Sequence, residues 1–148
     1  DNDEICWDYM GFAIGHETQG SRSDGVGRNY CRSAIGRATM RVDGIASVHA
    51  EREDAVITTK PLVFEGDSLE VNVRGKLTVE VLDVSGKLLA GFGRADSIPY
   101  QGDSVGHKVE WRTGKSLAAL AGKQVRLRFR LTNGDLYAYR FAGTSGSK

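Results

Sequence analysis

Lys123–Phe141 reads KQVRLRFRLTNGDLYAYRF. Val125, Leu127, Phe129 and Leu131 alternate with Arg126, Arg128 and Arg130. A period of two puts the apolar set on one face and the guanidinium groups on the other, the pattern of a half-buried β-strand. Asn133-Gly134 follows, a pair that readily takes the positive φ of a tight turn. Tyr137, Tyr139 and Phe141 then alternate with Leu136, Ala138 and Arg140. The stretch predicts a β-hairpin with a greasy face and a row of arginines.

The rest of the chain repeats this grammar. Leu69, Val71 and Val73 form one apolar set and Leu77, Val79 and Val81 the next, with Arg74-Gly75-Lys76 predicted as the turn between them. Ile5, Trp7 and Tyr9 mark a first strand, Ala34–Arg41 a second, and Ile45–His49 a short third. Ala55–Thr59 and Leu62–Phe64 are strands broken by Pro61, which cannot donate to a ladder. Val105, His107, Val109 and Trp111 share a face of another strand, and Ser116–Gly122 reads as one helical turn. The chain has 148 residues with 19 Gly and 2 Pro. That length suits a single core, and the glycines between short apolar runs suit many turns. Strands every 8–12 residues without a long amphipathic helix predict an all-β fold, an antiparallel β-sandwich of the jelly-roll sort. The expected organisation is an N-terminal strand and long polar loop over 1–33, a sandwich domain over 34–142 and a flexible tail, GTSGSK, over 143–148.

Composition limits the function classes. The formal net charge is +1, which argues against nucleic acid as a partner. No apolar run approaches the ~20 residues of a membrane span, and DNDE opens the chain without the pattern of a signal peptide. Cys6 and Cys31 could close a disulfide worth roughly 2–4 kcal/mol, or could be two buried thiols. They cannot form a zinc site by themselves.

Binding residues are sought where strand periodicity does not already explain a side chain. Tyr30 and Tyr100 lie in two irregular polar loops and are candidate sugar-stacking platforms, as is Trp7 on the first strand. Trp111, Tyr137 and Tyr139 alternate with apolar residues and read as core. Arg126, Arg128 and Arg130, about 6–7 Å apart along one face, could comb an anionic polysaccharide. Alternatively they form a solvated face paired with cross-strand acids. Asp96 and Asp103 in one loop could offer oxygens to a structural calcium, although carboxylates beside Gly and Ser usually cap turns. Otherwise no cofactor is expected. His16, His49 and His107 show no triad spacing, and His107 reads as a half-buried hydrogen bonder.

Five stretches in order, RATMRVDGIASVHA, ITTKPLVFEGDSLEVNV, VEVLDVSGKLLAGF, GDSVGHKVEW and LAGKQVRLRFRLTNGDLYAYRF, resemble the C-terminal β-sandwich of bacterial glycoside-hydrolase-family-32-like proteins. DEICWDYMGFAIGH with AIGRATMRVDG resembles the last strands of the five-bladed propeller that precedes that sandwich. The resemblance implies an extracellular or periplasmic setting and carbohydrate chemistry. It carries over no catalytic residue, because the family's catalytic carboxylates lie on propeller blades outside this stretch. The expectation is therefore a non-catalytic module that binds glycan or braces a propeller. The alternative is an assembly subunit that self-associates through open sheet edges.

Overall fold

The computed structural model describes residues 3–12, 33–51 and 55–143. They fall into two compact units, 1–42 and 43–148. The described chain is all-β, with every strand pair antiparallel.

The first unit is a two-stranded ribbon. β1 (Glu4–Phe12) pairs with β2 (Ser33–Arg41) in unbroken register from Glu4↔Arg41 to Phe12↔Ser33. The sequence boundary at 33/34 grouped β2 with the sandwich. Its hydrogen-bonding partner is instead β1, and the compact unit ends at Val42.

The second unit contains β3 (Val48–Ala50), β4 (Ala55–Thr58), β5 (Ser68–Leu82), β6 (Tyr100–Lys108) and β7 (Arg126–Ala142). These make one sheet in the order β3-β7-β5-β6, with β4 also on β7. The predicted hairpin over Lys123–Phe141 does not form. Asn133-Gly134 lies inside a single 17-residue strand. Likewise Arg74-Gly75-Lys76 lies inside the 15-residue β5, not at a turn. Positive φ is present at both places, 45° at Asn133 and 103° at Gly75. It serves a β-bulge instead of a chain reversal. Lys76 pairs with Thr132 and Arg74 with Asp135, so two residues of β7 oppose Gly75 alone. A bulge and a tight turn draw on the same left-handed backbone states, so the local sequence signal is shared.

Two further bulges sit one step along. Val73 pairs with Leu136 but Asn72 with Ala138, which makes Tyr137 the extra residue of β7. On the other side of β5, Val105 and Gly106 of β6 together oppose Asn72. These bulges bend the sheet sharply. Phe129 and Tyr139 are ten residues apart, which a straight strand would spread over about 33 Å, yet their rings meet at 5.3 Å. Tyr100 and His107 at the ends of β6 stack at 3.8 Å. The odd spacing of that pair would place them on opposite faces of a regular strand, and the bulge at Val105-Gly106 returns both to the inner face.

Curling of this one sheet gives the sandwich-like enclosure. Its inner face carries Leu69, Val71, Val73, Leu77, Val79 and Val81 from β5 and Leu127, Phe129 and Leu131 from β7, all at most 2 % exposed. Each buried side chain of this size contributes roughly 1.5–3 kcal/mol. Phe92 and Trp111 meet edge-on at 5.1 Å, Phe64 stacks on Phe141 at 4.0 Å, and the Trp111 indole donates to the Val79 carbonyl. The expected helical turn is a 3-10 turn, Leu117–Leu120. Ser116 caps it by accepting from the Ala118 N–H, and Leu117 plugs the core. The strand expected from Val105, His107, Val109 and Trp111 begins five residues earlier than its apolar alternation indicates, at Tyr100. Trp111 lies beyond its end in an isolated bridge to Ser97.

Candidate functional site

The ribbon is the part of the described chain whose surface least resembles a finished exterior. Cross-strand register puts Ile5 beside Met40, Trp7 beside Ala38 and Tyr9 beside Gly36 on one face. The Tyr9 ring lies over Gly36, where a Cβ would come within 2.4 Å of the ring. An aromatic ring thus fills the space that glycine leaves open in a strand pair. Ile5, Trp7 and Tyr9 are 38 %, 46 % and 58 % exposed. The opposite face pairs Cys6 with Thr39 and Asp8 with Arg37. Arg37 binds both oxygens of Asp8, at 2.8 and 3.2 Å, and this hydrogen bonding holds the Asp8 carboxyl below its ordinary pKa. A two-stranded ribbon has no interior and is marginal by itself. Here the second face carries the Asp8–Arg37 pair but also Met10 opposite Ile35, both exposed, while the aromatic face stands bare.

The candidate residues read from sequence are dispersed. Trp7 is on the bare face. Tyr30 and Cys31 lie outside the described residues, and Cys6 is exposed on the polar face of the ribbon with a free thiol. Tyr100 belongs to β6, and one face of its ring is taken up by His107. The two line a shallow cleft with Leu77, Val79, Ser97, Ile98 and Val109. That packing is the physical reason Tyr100 looked unexplained in the sequence: its partner is seven residues away across a bulge.

The arginine row is engaged. Glu80 is 2 % exposed and stands directly across from Arg128. Its Oε2 lies 2.9 Å from Arg130 Nε and 3.8 Å from Arg128 Nη1. Arg126 donates to the Val84 carbonyl, and Arg140 pairs with Glu70 at 2.6 Å. The outer face of β7 is therefore a set of matched charges, with the arginine stems covering the sheet. Asp96 accepts from the Gly93 N–H within its own turn, and Asp103 lies across from Arg74. Among the described residues no three His, Cys, Asp or Glu side chains converge to hold a metal.

Sequence reasoning missed a polar cluster at the bend of the sheet. His49 of β3, Asp135 of β7, Arg74 of β5 and Asp103 of β6 are successive cross-strand neighbours. Asp135 Oδ1 accepts from Ser47 Oγ at 3.0 Å and lies 2.9 Å from His49 Nδ1. The hydrogen bond from His49, aided by that from Ser47, lowers the Asp135 pKa. Ser, His and Asp are all present, but both donors converge on one carboxylate oxygen. The imidazole therefore cannot take a proton from Ser47, and the group works as a clasp between edge strand and sheet. No spacing signal could reveal it, because His49 and Asp135 are 86 residues apart.

His107 gives a pH-dependent prediction. Burial lowers its pKa from the ordinary 6.5, with Glu110 pulling the other way. Below 6.5 the unfolded chain binds the proton more readily than the folded one, so stability falls as pH drops through that value toward the folded pKa. Thermal melts between pH 7.5 and about 5 are expected to lose less stability in His107→Phe, which keeps the stack on Tyr100, than in the parent protein. Equal slopes would remove this role for His107.

Among the described residues no helix is long and apolar enough to cross a membrane. Compared with protein-family models, with curated proteins and with solved structures, the chain finds no match in any of the three.

Proposed function

We propose that the chain is a non-catalytic β-module of a carbohydrate-active, family-32-like protein outside the cytoplasm, and that its ribbon braces a neighbouring β-propeller. The observation that carries this reading is the bare stripe of Ile5, Trp7 and Tyr9 on a ribbon without a core of its own. The five ordered sequence stretches supply the family. Contiguous exposed apolar surface marks an interaction site, and sheets bury such faces against other sheets about 10 Å away.

The same stripe suits a protein neighbour better than a sugar. Aromatic stacking on a pyranose needs polar side chains close by to hold the hydroxyls. On this face the partners of Ile5, Trp7 and Tyr9 are Met40, Ala38 and Gly36, and the polar side-chain groups of these six are the Tyr9 hydroxyl and the Trp7 indole N–H alone. Nor do Tyr100 and the arginine row assemble into one glycan site: Tyr100 lies against His107 and the arginines are paired on the outer face of β7.

Tryptophan fluorescence tests the proposal, since the chain has only Trp7 and Trp111 and Trp111 is buried. A Trp7→Phe variant supplies the Trp111 signal for subtraction. Trp7 should be readily quenched by acrylamide in the 148-residue chain, and shielded and blue-shifted when the chain is joined to its neighbouring propeller. Undiminished quenching in the joined protein would count against bracing. Shielding that appears in the chain alone as concentration rises would favour self-association.

A further inference from the structure

We propose that the outer edge of β1 takes up an extended strand from the neighbouring domain, one that alternates apolar with basic side chains, so that β1 becomes an interior strand and β2 the outer edge. This rests on the bracing reading above and adds to it an edge, a direction of growth and a partner chemistry.

The backbone shows which groups are available. The Val42 N–H donates to the Asp3 carbonyl, so Asp3 and Val42 form a hydrogen-bonded pair. Alternation along an antiparallel ladder then turns the amides of Ile5, Trp7, Tyr9 and Gly11 toward β2. Those of Glu4, Cys6, Asp8 and Met10 point away from it, and on β2 those of Ile35, Arg37, Thr39 and Arg41 point away from β1. Among the described residues no third strand joins the ribbon at either edge, and the two edges are not alike.

Natural sheets blunt their open edges with short strands, bulges, prolines and basic side chains. The described edges of the second unit follow this rule. β3 has three residues and β4 four, with Pro61 soon after. β6 is bulged at Val105-Gly106 and ends on Lys108. In the first unit, β2 carries Arg37 and Arg41. β1 stands apart among the described edges: nine residues, EICWDYMGF, in unbroken register and without a lysine, arginine or proline. Its apolar face would be extended by the alternate residues of an added strand. On the other face Glu4 would be matched by lysine or arginine, and Asp8, whose carboxylate is already held by Arg37, would repel an added acid. The pairing mode is strand addition, in which main-chain bonds give affinity and alternate side chains give specificity.

The test uses the full chain and two synthetic nine-residue peptides, one alternating valine with lysine and the other valine with glutamate. Amide exchange is read residue by residue. The valine–lysine peptide is expected to slow exchange at Glu4, Cys6, Asp8 and Met10 by about tenfold or more at saturation, and to leave Arg37, Thr39 and Arg41 unchanged. Cys6→Pro removes an outward amide without removing a ribbon bond and should abolish the effect, whereas Thr39→Pro should retain it. Protection on β2, equal protection by the valine–glutamate peptide, or no protection by either would overturn the proposal. So would protection of β1 without peptide that is lost on dilution, since a second copy would then be the occupant. If these amides stay unprotected while Trp7 is shielded in the joined protein, the edge proposal falls and face-to-face bracing stands. If Trp7 stays exposed there, the bracing reading itself falls.

Discussion

Gly134→Ala is expected to unfold the second unit or bring it close to unfolding. A Cβ at this position would sit 1.9 Å from the Arg74 carbonyl oxygen and 2.8 Å from the Gly75 Cα. Both are backbone atoms of the paired strand, so no side chain can swing away. Relief requires β5 and β7 to separate at the bulge, where Gly75 itself approaches the Asn133 carbonyl within 2.5 Å of its would-be Cβ. Overpacking usually costs 1–3 kcal/mol. Parting two central strands at their bend should exceed about 3 kcal/mol, which in a unit of this size lowers the melting temperature by on the order of 15 °C. Gly86→Ala is the control. Gly86 has φ 89° but nothing within 4 Å of a Cβ, so it should lose only the roughly 1–2 kcal/mol of a left-handed non-glycine residue. Gly134 does not have a positive φ, and the pair therefore separates crowding from backbone strain. Calorimetry on both variants decides the matter. A Gly134→Ala variant that melts no lower than Gly86→Ala would mean the sheet can bend without the close strand approach at this bulge.

The same position shows where the sequence could and could not be read. Period-two alternation correctly separated inner from outer residues on β5, where parity holds from Leu69 to Val81 because the extra residues of all three bulges lie on its neighbours. It also separated Leu127, Phe129 and Leu131 from the arginines. What it could not supply was the use made of Asn133-Gly134. A local signal records the need for positive φ, and only the partner strand decides between turning back and bulging. A bulge read as a turn divides one long strand into two and hides the close approach of Phe129 to Tyr139.

The candidate site was legible in a similar, partial way. The alternation of Ile5, Trp7 and Tyr9 was plain, and it placed three large apolar side chains on one face. Alternation looks the same whether that face is buried within the chain or left for a partner. Exposure separates the two, and it depends on what β2 places opposite: Met40, Ala38 and Gly36. By contrast, Tyr100 stood out in the sequence only because its packing partner crosses a bulge. The arginine row stood out because Glu80 lies about 50 residues away. Long-range pairing removes both from the list of free functional groups and leaves the ribbon as the surface still to be accounted for.

Glu80 carries the second large expected effect. It lies on the outer face of β5 yet is 2 % exposed, beneath Arg128 and Arg130, whose side chains are 27 % and 23 % exposed. One carboxylate thus neutralises two half-buried guanidinium groups, with the shorter contact, 2.9 Å, to Arg130. Removing one member of a buried pair typically costs 3–5 kcal/mol because the other charge is left without a partner. Partial exposure of both arginines lets water recover some of that, so Glu80→Ala should cost about 2–4 kcal/mol. Glu80→Gln keeps the shape and an acceptor oxygen but loses the charge, and it should fall between the parent and Glu80→Ala. Urea unfolding measures these losses, and a double-mutant cycle with Arg130→Leu isolates the pair. If the ion pair holds β5 to β7, Glu80→Leu combined with Arg130→Leu should be less destabilising than the sum of the two single changes, because neither then strands a charge. The cycle also bears on function. A binding comb would need its guanidinium groups free, so in Glu80→Gln heparin, as an anionic probe, should bind more tightly than to the parent if the row is only held in check. Unchanged weak binding in a folded Glu80→Gln variant is the expected result, and it would leave Arg126, Arg128 and Arg130 with a structural role alone.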